Sequence, residues 1–231
     1  MLISGLQKLT LLDYPGLVAC TVFTGGCNLR CPFCHNALLV TRLAETPEIP
    51  EQEVLGFLSS RKGLLDGVVL TGGEPLLQPD AADFLRKVRE LGFAVKLDTN
   101  GCDPARLAEI LNQGLVDYVA MDVKNAPARY AETVGIPGFN PAPVEESIRL
   151  LRKSTVDYEF RTTLVRELHR PEDLDAIAAW LAGAPRYYLQ NFVDSGNLIG
   201  RGYHGFTAEQ LQGFAERVRP FFGAVELRGI D

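Results

Sequence analysis

Residues 17–36 read LVACTVFTGGCNLRCPFCHN. The first part, 17–23, is apolar and rich in β-branched residues, and reads as a buried strand. Directly behind it, in the loop 26–36, Cys27, Cys31 and Cys34 stand at C-x3-C-x2-C spacing, followed by His35 and Asn36. A strand that delivers three thiols onto its exit loop points to an α/β fold, in which the chemistry sits beyond the C-terminal ends of parallel strands. Three thiolates are one short of a closed tetrahedral site.

Outward from this stretch the same order recurs. Strands are expected at 67–70, 93–99, 118–124, 158–165 and 186–192. Helical spacing falls between and after them, at 51–61, 79–91, 104–114, 144–154, 171–183 and 207–219. The helix at 104–114 has Pro at its start and Gly at its end, the asymmetry helices favour. Alternation of this kind implies parallel strands joined by crossover helices. Eight units close a standard barrel; six suggest an open one, with a doubly wound sheet as the other solution. The expected fold is α/β, a partial, open (β/α)6 TIM-like barrel with parallel strands. One domain is expected over 1–231, with the segment 194–231 as a candidate cap.

The polar residues fall in one register relative to those strands. Gly72, Gly73 and Glu74 follow the second strand, Asp98, Thr99, Asn100 and Gly101 the third, and Asp122 with Lys124 the fourth. Each has a plain reading by itself: a turn, a helix start, a surface ion pair. Four such clusters at equivalent strand ends are hard to explain by packing and predict one shared cavity.

Composition narrows the class. The chain has 231 residues, 46% apolar and 23% charged, with a net charge of −6. No apolar run reaches the length of a membrane span, and no Lys/Arg cluster of nucleic-acid type is present. The N-terminus lacks a secretory pattern, so a cytoplasmic protein without membrane or nucleic-acid partners is expected. Five cysteines, three within eight positions, favour a metal site over disulfides. Zinc held by the three cysteines and His35 is one reading, with Cys20 or Cys102 as other possible fourth ligands. An iron–sulfur cluster with one iron left open fits a single-loop thiol set better.

Taken together, C-x3-C-x2-C after the first strand and GGEP on the next exit loop resemble the radical S-adenosylmethionine superfamily. The resemblance narrows to the glycyl-radical-enzyme activases. It runs through Asp13-Tyr14-Pro15-Gly16, Gly26 to Asn36, Gly72 to Glu74, Asp98 to Gly101 and Asp122 to Lys124, over residues 8–125. The branch it looks most like is that of the anaerobic ribonucleoside-triphosphate reductase activating proteins. Three features depart from the pattern. Tyr14 stands where many activases have Gly. Gln190 and Asn191 stand near the point where pyruvate formate-lyase activases carry a His. The span 37–70 has no Cys, so a second, ferredoxin-type cluster is not expected.

What the resemblance implies is specific. Cys27, Cys31 and Cys34 would hold a [4Fe–4S] cluster whose open iron chelates S-adenosylmethionine. Gly72, Gly73 and Glu74 would hold the methionyl amine. Asp98, with Thr99 and Asn100 in its loop, would contact the methionyl part, Lys124 its carboxylate, Asp122 the ribose side, and Phe33 the adenine through its backbone. No catalytic side chain is implied beyond cluster and cofactor. The implied reaction is reductive cleavage of S-adenosylmethionine and formation of a glycyl radical on a partner enzyme, with flavodoxin or ferredoxin as electron donor. Anaerobic ribonucleotide reductase is the favoured partner and pyruvate formate-lyase the second. The alternatives are a radical enzyme acting on a small molecule and a non-enzymatic iron–sulfur or zinc protein. Arg161 and Gln190 are further candidate contacts. Cys20, Cys102, His169 and His204 read as structural or unassigned.

Overall fold

In the computed structural model, which describes residues 1–230, eight strands form one sheet in the order β1 to β8. They are β1 (Ile3–Thr10), β2 (Ala19–Thr24), β3 (Gly67–Gly72), β4 (Ala94–Thr99), β5 (Tyr118–Asp122), β6 (Asp157–Leu164), β7 (Arg186–Asn191) and β8 (Ala224–Arg228). Strands β2 to β8 are parallel, and β1 lies antiparallel to β2. Spatial order equal to chain order decides between the two expected topologies. A doubly wound sheet reverses its order at a switch point, whereas a barrel winds in one direction. β1 and β8 are the two edges and do not pair with each other, so the barrel is open on one side.

The helices are α1 (Ala37–Thr41), α2 (Glu51–Ser60), α3 (Ala81–Glu90), α4 (Pro104–Asn112), α5 (Tyr130–Thr133), α6 (Ala142–Lys153), α7 (Pro171–Leu181) and α8 (Ala208–Val218). The expected helices all form, within about three residues of their predicted ends. Local chemistry sets several of those ends. The Asp103 side chain accepts from the Arg106 N–H at 3.0 Å to cap α4. Thr207 and Gln210 form a capping box at α8.

Strands β1 and β8 were not anticipated. Both are edges with one side open to solvent, and their burial alternates weakly. The hydrophobic signal that marks a central strand is diluted there.

Along each central strand the side chains alternate between two environments. Val22, Val68, Leu70, Val95, Leu97, Val119, Met121, Phe160 and Leu189 are fully buried against the helix layer. The opposite face lines the barrel interior. At the end away from the cysteine loop it is closed by a small cluster of Tyr14, Ala19, Val69, Tyr118 and Ala120. A Cβ at Gly67 would lie 3.0 Å from the Tyr14 ring, so the glycine leaves room for this plug. At the other end the interior face turns polar.

Candidate functional site

The loops after β2, β3, β4 and β5 converge on one cavity of about 420 Å³, the size of a small-molecule site. Cys27, Cys31, Phe33, Cys34, Gly72, Gly73, Glu74, Asp98, Thr99, Asn100, Asp122 and Lys124 all line it. The sequence-derived set is thus brought together completely. Arg161 and Gln190 line the cavity too, whereas Cys20, Cys102, His169 and His204 do not. Cys20 is buried in the helix-facing core, and His204 pairs with Glu167 at the surface.

Burial pushes the thiols up, Cys27 to about 11 and Cys31 to about 12. Cys34 is raised for the same reason. Among the described residues no three His, Cys, Asp or Glu side chains gather closely enough to hold a single metal ion. Tetrahedral zinc needs its thiolates about 2.3 Å from one point. A cluster, in which each thiolate takes a different iron, spreads them further. Three thiols on one loop, all opening onto the cavity, are a donor set that a polynuclear iron–sulfur centre would use with one thiolate on each of three irons.

The two glycines of the β3 loop also allow a close approach to the cysteine loop. A Cβ on Gly73 would lie 1.9 Å from the Gly26 carbonyl oxygen, and one on Gly72 (φ +122°) would lie 2.3 Å from the Thr24 amide nitrogen. The Glu74 N–H donates to the Gly26 carbonyl at 2.8 Å, and the Asn36 side chain donates to the Gly72 carbonyl at 3.0 Å. The glycines let this loop lock backbone-to-backbone onto the cysteine loop.

Glu74 is 2% exposed and its carboxylate accepts three protein donors. They are the Leu76 N–H (3.1 Å), the Thr99 hydroxyl (2.7 Å) and the Asn100 N–H (2.7 Å). Burial raises its pKa to about 7 against those donors. The Asn100 side chain donates in turn to Asn28 Oδ1 at 2.9 Å and approaches Cys27 Sγ at 3.8 Å. The cysteine, GGE and DTNG loops are thereby one hydrogen-bonded unit.

The opposite wall is ionic. Arg161 donates to Asp122 (2.9 Å) and Asp98 (3.2 Å), and Lys124 to Asp122 (3.1 Å). Burial opposes ionisation of Asp122, but Arg161 and Lys124 outweigh it and hold the carboxyl well below its usual range. Lys124 is held charged against its own burial chiefly by Asp122. Beneath it, His169 Nε2 meets the Lys124 carbonyl at 2.8 Å, and its Nδ1 accepts from the Val165 N–H at 3.1 Å. Asn125 and Tyr130 pin the same turn.

Beyond β7, the segment expected as a cap reaches the cysteine loop. The Gly200 N–H donates to the Pro32 carbonyl at 2.7 Å. His35 meets the Val193 carbonyl at 2.8 Å and stacks on Phe192. Sequence reasoning did not foresee His35 in this role. It also missed Lys96, which bonds Asp98 from within the barrel. The available signal was its place two residues before Asp98, flanked by apolar Val95 and Leu97.

A family model described as the radical SAM superfamily matches residues 21–181. A "putative glycyl-radical enzyme activating enzyme" of Methanocaldococcus jannaschii is 35% identical over 195 residues, 83% of this chain and 80% of that one. The pyruvate formate-lyase-activating enzyme of Clostridium pasteurianum is 35% identical over 128 residues, 53% of this chain and 52% of that one. Among solved structures, Streptococcus suis SuiB bound to S-adenosylmethionine superposes with a TM-score of 0.70 at 16% identity, over 88% of this chain and 48% of that one. The chain thus spans about half the length of the last two. The family match begins on the strand that presents the thiols and runs through α7. With a relative 35% identical over more than four-fifths of this chain, this protein belongs to the radical S-adenosylmethionine superfamily, as a homologue of glycyl-radical-enzyme activating enzymes.

Proposed function

We propose that this protein generates a glycyl radical on a partner enzyme, most readily an anaerobic ribonucleoside-triphosphate reductase. Members of its superfamily use a [4Fe–4S] cluster and S-adenosylmethionine. The observation that carries the reading is the convergence of three thiols, the GGE loop and the Asp98–Arg161–Asp122–Lys124 wall on one cavity.

Cys27, Cys31 and Cys34 would hold the cluster, which supplies the electron for reductive cleavage of S-adenosylmethionine. The chain's own residues bind and orient. Lys124 would present a cation to the cofactor's carboxylate, Asp122 would face its ribose side, and the Phe33 backbone its adenine. Gly72, Gly73, Glu74, Asp98, Thr99 and Asn100 frame the methionyl end. In this chain Glu74 accepts from Leu76, Thr99 and Asn100 and so joins the loops, while Oε2, which takes one donor, keeps room for another. The apolar Tyr14 plug shuts the far end of the barrel against water. The open side between β1 and β8 leaves a route for a peptide loop.

A second reading is favoured by the strap at 193–200 on the cysteine loop: a radical enzyme that caps its own site over a small molecule. One experiment separates the two. The anaerobically reconstituted, reduced protein is given S-adenosylmethionine with and without anaerobic ribonucleotide reductase, and 5′-deoxyadenosine and the EPR spectrum are followed. A protein-based doublet that requires the reductase supports the activase. 5′-Deoxyadenosine without any protein radical removes that partner and favours the second reading.

A further inference from the structure

Lys96 lies on β4 with its side chain 2% exposed, and its ammonium bonds one oxygen of Asp98. The other oxygen of Asp98 takes Arg161 at 3.2 Å. Continuing outward, Arg161 takes Asp122 at 2.9 Å and Asp122 takes Lys124 at 3.1 Å. The result is an alternating chain of charges, Lys96, Asp98, Arg161, Asp122, Lys124, strung across β4, β5 and β6 and carrying a net charge of +1. Lys96 is its only member that does not line the cavity.

A fully buried lysine is rare because desolvating an ammonium is costly. Replacing a buried ion pair with apolar residues is often neutral or stabilising, so the pair is a poor device for stability. At this position an apolar alternative is available, since the residues in register with Lys96 on β3 and β5 are Val69 and Tyr118, both part of the buried floor of the barrel. What Lys96 does achieve is geometric. With a cation on each oxygen, the Asp98 carboxylate is fixed in orientation and its charge is compensated. Burial would raise the Asp98 pKa, but Arg161 and Lys96 outweigh it and keep the group ionised.

We infer that Lys96 is a positioning residue for S-adenosylmethionine. It neutralises Asp98 from below, so that the wall meets the cofactor with the net positive charge of Arg161 and Lys124 and favours its carboxylate. Asp98 is then held between two cations, with each oxygen still able to accept a further donor from the cofactor. This inference rests on the function proposed above.

The test uses cluster-loaded full-length protein and measures S-adenosylmethionine affinity by calorimetry, the EPR change of the reduced cluster on binding, iron content and thermal unfolding. Lys96→Met is expected to weaken binding by about tenfold or more, the range for residues that orient a ligand's contacts. Iron content should be unchanged, while the unfolding temperature should fall, since Asp98 loses one of its two cations. Lys96→Arg should recover most of the affinity. Because the effect runs through Asp98, Lys96→Met combined with Asp98→Asn should be no worse than Asp98→Asn alone. That double variant carries no unpaired buried charge and serves if Lys96→Met fails to fold. Lys96→Met with parental affinity, or losses that simply add in the double variant, overturns the inference. If the parent protein itself binds neither iron nor S-adenosylmethionine, the proposed function falls and takes the inference with it.

Discussion

Phe160 and Arg161 are neighbours on β6, yet they belong to different halves of the molecule. Phe160 points into the helix-packed core and is fully buried among apolar side chains. Arg161 points into the barrel and holds two carboxylates at the cavity wall. The contrast repeats on β4, where Val95 and Leu97 face helices while Lys96 and Asp98 face inward, and on β5 with Met121 and Asp122. An ordinary barrel of this type fills its interior with branched apolar residues. Here only the floor is closed by apolar packing, and mostly by aromatic and small residues: Tyr14, Ala19, Val69, Tyr118 and Ala120. The division teaches that stability is drawn from the outer face and ligand recognition from the upper inner one. Alternation along a strand keeps the two nearly independent.

The largest expected effect strikes the site alone. Cys31→Ala should abolish iron retention and S-adenosylmethionine cleavage while thermal unfolding of the cluster-free protein stays close to the parent's. Iron analysis and 5′-deoxyadenosine assay decide it, and full cleavage by the variant would break the site assignment. On the other face, Phe160→Ala should cost about 3–5 kcal/mol of stability. Denaturant unfolding measures that loss, and the protein that remains folded should bind S-adenosylmethionine as before. Its neighbour should behave in reverse. Arg161→Met should weaken S-adenosylmethionine binding by about ten- to a hundredfold, with a smaller stability loss because Asp98 and Asp122 keep Lys96 and Lys124. Equal stability losses at 160 and 161 would erase the distinction between the faces.

Gly73→Ala probes the joint between loops. Its Cβ has nowhere to go against the Gly26 carbonyl, so a cost of about 1–3 kcal/mol and poorer cluster retention are expected. Iron content per chain after gel filtration would reveal it. The smallest effect is a pH dependence at His169. Burial lowers its pKa below the ordinary 6.5, so the unfolded chain binds a proton before the folded one does. Stability should therefore be full above about pH 6.5 and fall as the pH drops from there through the folded pKa. Protonation would also cost Nδ1 its role as acceptor for the Val165 N–H. His169→Gln should remove that part of the slope in unfolding measured from pH 5 to 8.

Much of this was legible from sequence. The period-two and helical patterns place β2 to β7 and the long helices, because each of those elements buries a full apolar face. The C-x3-C-x2-C spacing, GGE, DTNG and D-x-K fix which side chains reach one cavity, because parallel strands bring equivalent loop positions to the same end of a barrel. The edges β1 and β8 were invisible, since a strand half in solvent loses the alternation that identifies it. The use of Gly72 and Gly73 was visible as a need for small residues, but not as a need set by the backbone of Thr24 and Gly26. Lys96 was invisible as a site residue. Its meaning depends on which way β4 faces and on where β6 sets Arg161 beside it.

The sequence by itself therefore determined β2 to β7, the long helices, the loop residues that line the cavity and the family. Those depend on local periodicity and on spacing along the chain. The tertiary structure alone decided the direction of winding, the joint between the cysteine and GGE loops, the Tyr14 plug and the charge chain from Lys96 to Lys124. Each of these is a contact between residues distant in the chain, chosen by strand register and by backbone approach.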